Sequence, residues 1–173
     1  MKKNPLLLLI GVLLFVAWAC EKDNSSTTGK TVLTVRLTDG PGDYQQVNVD
    51  IRDVRLKMAD DTSQWLSLAT NAGIYNLLDF QNGADTIIAT GPAPANVLKE
   101  VRLVLGPENS VMVDSILYDL ETPSAEQSGL KIKIDKNLGL VLDSLTLDFD
   151  AEKSILKTGN GKFILKPVIK VVD

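Results

Sequence analysis

Short runs of alternating apolar and polar residues, turn-forming clusters of Gly, Pro, Asn and Asp between them, and the lack of any repeated amphipathic helix predict an all-β domain. Roughly eight to eleven such runs at regular spacing fit an antiparallel two-sheet β-sandwich, immunoglobulin- or transthyretin-like, with at most one short helix. The sequence shows no internal repeat.

The chain opens differently. Lys2 and Lys3 precede an apolar run from Leu6 to Val16, and small residues at Ala17 and Ala19 lead to Cys20. This is the layout of a secretory signal peptide, and Leu6 to Ala19 falls short of the roughly 20 apolar residues a spanning helix needs. Cys20 is the only cysteine in the chain. The stretch Val16 to Cys20 resembles the lipobox of bacterial lipoproteins, with Ala17 where leucine is usual and Trp18 where a small residue is usual. It predicts cleavage after residue 19 and acylation of the Cys20 thiol, palmitate being a representative chain. An ordinary signal peptide leaving a free thiol is the competing reading. Glu21, Lys22 and Asp23 resemble the Lys-acid export signal of Bacteroidetes surface lipoproteins, and also suit a plain polar linker. Residues 20–30 then read as a lipidated cysteine and flexible Ser/Thr-rich tether, and 31–173 as the sandwich.

Strands follow in order. Leu33, Val35 and Leu37 alternate with Thr34, Arg36 and Thr38. Asp39 to Asp43 is a turn, after which Val47, Val49 and Ile51 alternate. The phase shifts to Val54, Leu56 and Met58, which places a β-bulge near Arg52 and Asp53. Trp65 to Leu68 and Ile74 to Phe80 read as strands, and Gly91-Pro92-Ala93-Pro94 as a loop, since proline cannot donate to a central ladder. Val97 to Leu105 resumes alternation. Asn109 to Val113 and Ile116 to Leu120 read as a hairpin about Asp114-Ser115. Glu121 to Gly129 is a polar loop, and strands are expected around Ile132 and Leu147. Asp150 is a cap for one helical turn. A final strand is expected over Phe163 to Val172, at an edge because of Pro167.

Composition narrows the chemistry. Removing 19 residues from 173 leaves 154, enough for one domain, with 16 basic against 22 acidic side chains. A net charge of 16 − 22 = −6 with mixed signs does not suit nucleic acid. No histidine occurs, which removes Ser-His-Asp and Cys-His catalysis and His-ligated metals. What remains is carboxylate, hydroxyl, amide and lysine chemistry.

Four candidate constellations use those groups. Asp39, Asp43, Asp50 and Asp53 flank a Gly-Pro-Gly turn; oxygen ligation of Ca²⁺ through Asp39 and Asp43 is one reading, Asx-type hydrogen bonding within the turn the other. Asp148 and Asp150, two residues apart on one strand face at roughly 6.6 Å, have the spacing of an inverting glycosidase pair if the strand runs through Asp150, and equally that of a solvated face. Trp65 offers a single stacking surface for a glycan, or packs into the core. Lys131, Lys133, Lys166 and Lys170 form a basic stripe if their strands adjoin.

Beyond these residue-level readings, Leu33-Thr34-Val35-Arg36-Leu37-Thr38-Asp39-Gly40-Pro41-Gly42-Asp43-Tyr44 with Val47-Asn48-Val49 resembles the opening of the domain-of-unknown-function 4382 family, apart from Gly40 where alanine is more usual. Thr122-Pro123-Ser124, Gln127 to Lys131, Leu147 to Ala151 with Ser154-Ile155, and Gly159 to Ile169 follow in the family's order. The resemblance covers nearly all of the chain after Lys30. It implies a bacterial lipoprotein or secreted protein and transfers no catalytic residue.

The expected function is a lipid-anchored protein of the outer membrane, exposed at the cell surface, whose non-catalytic sandwich serves binding, adhesion or assembly with a protein or glycan partner. A small carboxylate-dependent hydrolase of extracellular glycans is the alternative. No cofactor is expected beyond the Ca²⁺ considered above.

Overall fold

The computed structural model describes residues 29–122 and 129–172. Cys20, the Glu21-Lys22-Asp23 signal, most of the tether and the centre of the Glu121–Gly129 loop lie outside them. The described chain is mostly β, in two packed sheets with mixed strand directions. The expected all-β sandwich is present. It is not purely antiparallel.

The smaller sheet has five strands. β1 (Lys30–Thr38) lies at its centre because Leu33, Val35 and Leu37 need a fully covered inner face, and all three are completely buried. Further along the chain come β2 (Gln46–Met58), β3 (Leu66–Ser67), β4 (Ala69–Thr70), β5 (Gly73–Asn76) and a 3₁₀ turn at Leu77–Phe80. Then come β6 (Thr86–Pro94), β7 (Val97–Leu105), β8 (Ser110–Val113), β9 (Ile116–Glu121), β10 (Leu130–Asn137) and β11 (Val141–Phe149). α1 (Ala151–Ser154), β12 (Ile155–Lys157), β13 (Phe163–Leu165) and β14 (Ile169–Val172) end the chain.

In the smaller sheet the order is β14-β11-β1-β6-β4; in the larger it is β10-β7-β2-β8-β9-β13-β12, with β3 and β5 also paired to β2. Two pairings are parallel. β1 runs alongside β11 from Thr31↔Val141 to Thr38↔Asp148, and β13 alongside β9. The inner faces of the two sheets supply one continuous core, in which Phe149, Leu147, Ile51, Leu56 and Leu103 are fully buried. Edges carry the usual protections against stray pairing: lysines at 131, 133 and 136 on β10, and Pro167 just before β14.

Three expectations need correction. Gly91 to Pro94 is the end of β6, not a loop. Pairing of β6 with β4 stops at Thr90, whereas Pro92 and Pro94 pair only with Val32 and Lys30 of β1, so that part of β6 is locally an edge and the missing N–H groups cost no ladder bond. Phe163 to Val172 is two strands in different sheets, broken at Lys166-Pro167-Val168. Ile74 to Phe80 is strand only to Asn76, after which the chain tightens into the 3₁₀ turn.

The bulge expected on β2 is present, between Ile51 and Asp53. Beside it the buried Asp50 meets Arg52, whose Nε lies 2.7 Å from Asp50 Oδ1 and whose guanidinium donates to Oδ2 at 2.7 Å. The carboxylate accepts from Glu108 N as well, and Asn109 Oδ1 accepts from Asp50 N at 2.9 Å. A Cβ on Gly106 would sit 2.0 Å from Asp50 Oδ2 and 2.5 Å from Arg52 Nε, so only glycine leaves room for this pair. Gly106→Ala is therefore expected to lower stability by about 1–3 kcal/mol, the range of overpacking a tight site. Urea unfolding monitored by circular dichroism measures it, and a change below about 0.5 kcal/mol, the range of ordinary surface substitutions, would contradict the packing described.

Candidate functional site

The parallel β1–β11 pairing gives the sandwich two unlike ends. At one end the chain leaves β1 at Thr38 beside the finish of β11, which brings Asp39 to Asp148 and Asp150. At the other, residues 29 and 30 lie beside the start of β11 at Val141.

At the acidic end the carboxylates hold the backbone. Asp39 is buried; its Oδ1 accepts from Ala151 N at 2.9 Å and its Oδ2 from Gln81 Nε2 at 3.0 Å. Gln81 also donates to Gly40 O, which closes the turn. Asp150 caps α1, accepting from Lys153 N at 3.0 Å and from Lys153 Nζ. Asp43 N donates to Glu152 Oε2, and Ser154 Oγ accepts from Val168 N, so the loop, α1 and the approach to β14 form one joint. Asp148 Oδ2 pairs with Lys170 Nζ at 2.9 Å, while its Oδ1 is buried without a partner.

Charge at this joint is distributed unevenly. Burial pushes the Asp39 carboxyl above its ordinary value, against the lowering effect of the Ala151 and Gln81 hydrogen bonds, and the charges of Asp148 and Asp150 push the same way as burial. Asp150 is held below its ordinary value by the Lys153 side chain and backbone amide, with Lys170 adding to the effect. Burial also raises the Tyr44 phenol, with Glu152 nearby.

This geometry separates the predicted site residues. Asp39 joins Asp148 and Asp150, but Asp50 and Asp53 lie on β2, paired with Arg52 and Arg55. Both oxygens of Asp39 are taken by protein donors, and among the described residues no three acidic side chains converge as metal ligands. The residues present do not fit a Ca²⁺ site at Asp39 and Asp43. β11 ends at Phe149, so Asp150 turns away to cap α1 and the two acids do not share a strand face. Trp65 is partly buried, and its ring is covered by the Arg102 guanidinium at 3.9 Å, with Lys57 at 5.4 Å. The lysine stripe does not form within a sheet. Lys131 and Lys133 are on β10 at the edge of the larger sheet, Lys170 is on β14 at the edge of the smaller, and Lys166 lies between strands.

The other end is apolar. Leu56, Met58, Trp65, Leu66 and Pro94 line a cleft of about 250 Å³ together with Asp60, Asp61 and Gln64. A second cleft of about 350 Å³, sharing Leu66 and Pro94, adds Lys30, Pro92 and Ala93. Beside them, Leu140, Val141 and Leu142 are 70%, 72% and 72% exposed. The strand periodicity drew attention to Leu145 onward and passed over this triplet. Three consecutive apolar residues after Gly139, the last two of them opening β11, were the available signal.

The fold and the two ends define a small two-sheet β-sandwich with a carboxylate-braced end opposite an apolar one where the N-terminal segment arrives. The chain belongs to the family described as a domain of unknown function (DUF4382), whose model matches residues 30–167. No curated protein and no solved structure matches it.

Two substitutions test the joint through pH. Asp150 is depressed on folding, so its contribution is present above the unfolded value and lost as pH falls through the lower folded value. Asp150→Ala should cost about 1 kcal/mol at pH 7 and progressively less in acid. Asp39 is raised on folding, so its ionisation costs stability above the folded value, and the cost disappears as pH falls to the unfolded value of 3.8. Asp39→Asn retains an acceptor for Ala151 N but turns its NH₂ toward the Gln81 donor, a penalty fixed at every pH, so its stability relative to the parent should improve as pH rises above 3.8. Thermal unfolding from pH 3 to 8 checks both, and a loss of stability by Asp39→Asn that grows with pH would contradict the assignment.

Proposed function

We propose that this chain is a lipid-anchored protein of the cell envelope, acylated at Cys20, carried to the outer membrane and exposed at the cell surface. Its sandwich is a non-catalytic module for binding, adhesion or assembly with a protein or glycan partner. The observation that carries the reading is the placement of the single cysteine directly after a basic and apolar leader, followed by Glu21-Lys22-Asp23. Permanent anchoring follows from chemistry, since several acyl chains each gain about 0.8 kcal/mol per buried CH₂.

The arrangement of the domain supports this role. With the tether joined at the apolar end, the loops at Asp43–Gln45 and Met112–Asp114 face outward, and they line a cleft of about 280 Å³ suited to a polar partner. The hydrolase reading needs two uncommitted acids facing each other across a groove. Asp39 and Asp150 are bonded to backbone amides and Asp148 to Lys170, which favours binding over hydrolysis.

Cys20→Ser tests the proposal in the native host. The parent is expected in the outer-membrane fraction and accessible to protease on intact cells; the variant should be unprocessed or released, with its β-sheet circular dichroism unchanged. A variant that fractionates and is processed like the parent would refute the anchor.

A further inference from the structure

We propose that Leu140, Val141 and Leu142, with the apolar row beside them, dip into the bilayer that holds the acyl chains, fixing the domain with its acidic end outward. The inference rests on the lipid anchor proposed above and specifies what the anchored domain does at the membrane. Its occupant is the phospholipid surface, for four reasons.

The first is exposure. These three residues are the most exposed large apolar side chains among the described residues, and they are consecutive in sequence. The second is backbone strain. Val141 has φ +79°, a conformation in which a β-branched residue is an outlier, whereas glycine or asparagine would adopt it readily. A corner serving only as a water-exposed turn gains nothing from valine there.

The third is continuity. Leu142 pairs with Val32 of β1, and Val32 with Pro92 of β6, so the three form one row on the outer face of the smaller sheet. The apolar surface extends through Pro94 to Leu66, and Lys30 lines the same cleft, a cation placed for headgroup phosphates. The loop with Asp60 and Asp61 lies on the other side of the Leu66 cleft, which makes the contact one-sided.

The fourth is position. A Cβ on Gly29 would lie 2.3 Å from Leu140 Cδ2, so the N-terminal segment reaches the sandwich directly against this corner. Eight residues lie between Cys20 and Gly29, and the nine Cα–Cα steps, even fully extended, span at most about 32 Å. The headgroup layer is only about 6 Å deep on each side. An acylated Cys20 thus keeps the Leu140 corner within reach of the bilayer at all times. At the opposite end, carboxylates at 39, 43, 148 and 150 and Glu152 are repelled by an anionic surface.

The test uses the lipidated mature protein in vesicles of phosphatidylethanolamine and phosphatidylglycerol at about 3:1. Acylation consumes the Cys20 thiol, so a Leu140→Cys substitution supplies the one thiol for a nitroxide label. Leu117→Cys is the control, since Leu117 is also exposed and apolar but pairs with Met112 beside Gln46, at the acidic end. Electron paramagnetic resonance accessibility is expected to show the residue 140 label collected by oxygen in preference to a water-soluble nickel complex by at least fivefold relative to the label at 117. Flotation of the vesicles with the protein bound, but equal and water-like accessibility at both positions, would overturn the insertion while leaving the anchor standing. Dipolar broadening between residue 140 labels on different copies, with water-like accessibility, would assign the corner to self-association instead. Failure of the protein to float would overturn the anchor and this inference together.

Discussion

The parallel pairing of β1 with β11 is the constraint on which the rest of the molecule depends. Parallel neighbours need a long crossover, and here the whole stretch from β2 to β10 is accommodated between them. Because both strands point the same way, the place where the N-terminal segment arrives and the start of β11 are forced together. The end of β1 and the end of β11 are forced together equally. One consequence is the apolar corner at Leu140, and the other is the carboxylate joint at Asp39, Asp148 and Asp150. The two ends are coupled features of one register.

Packing shows why the two ends differ in character. The inner rows Leu33-Val35-Leu37 and Leu145-Leu147-Phe149 are covered, and each fully buried side chain of this kind contributes about 1.5–3 kcal/mol relative to exposure. Leu140, Val141 and Leu142 forgo that gain in water. At the other end the cost is electrostatic, since Asp39 is buried near two like charges and is retained for its bonds to Ala151 and Gln81. Each end therefore holds residues that stability in free solution does not select. The proposed anchoring at one end, with polar partners at the other, would give both a purpose.

What the sequence made legible followed local rules. The bulge near Arg52 was visible as a phase shift in apolar positions, the helical turn in its Asp150 cap, and the hairpin at Asp114-Ser115 in its flanking strands; both turn residues have positive φ, as a tight two-residue hairpin requires. What remained hidden depended on partners distant in the chain. Alternation is the same for parallel and antiparallel strands, so the β1–β11 direction left no local trace. Pro92 and Pro94 looked like breakers because nothing near them indicates that β4 covers β6 only as far as Thr90. The gathering of Asp39 with Asp148 and Asp150 across more than a hundred residues, with Asp39 and Asp150 bonded to the backbone amides of Ala151 and Lys153 and Asp148 paired with Lys170, is likewise a consequence of topology.

Everything proposed for the domain's place at a membrane depends on lipid at Cys20. Mass spectrometry of the N-terminal peptide from protein extracted out of native membranes tests this most directly. The predicted result is a peptide beginning at Cys20 with the mass of a diacylglyceryl thioether and a further fatty acyl group. A mature chain beginning elsewhere, or one beginning at Cys20 with an unmodified thiol, would contradict it.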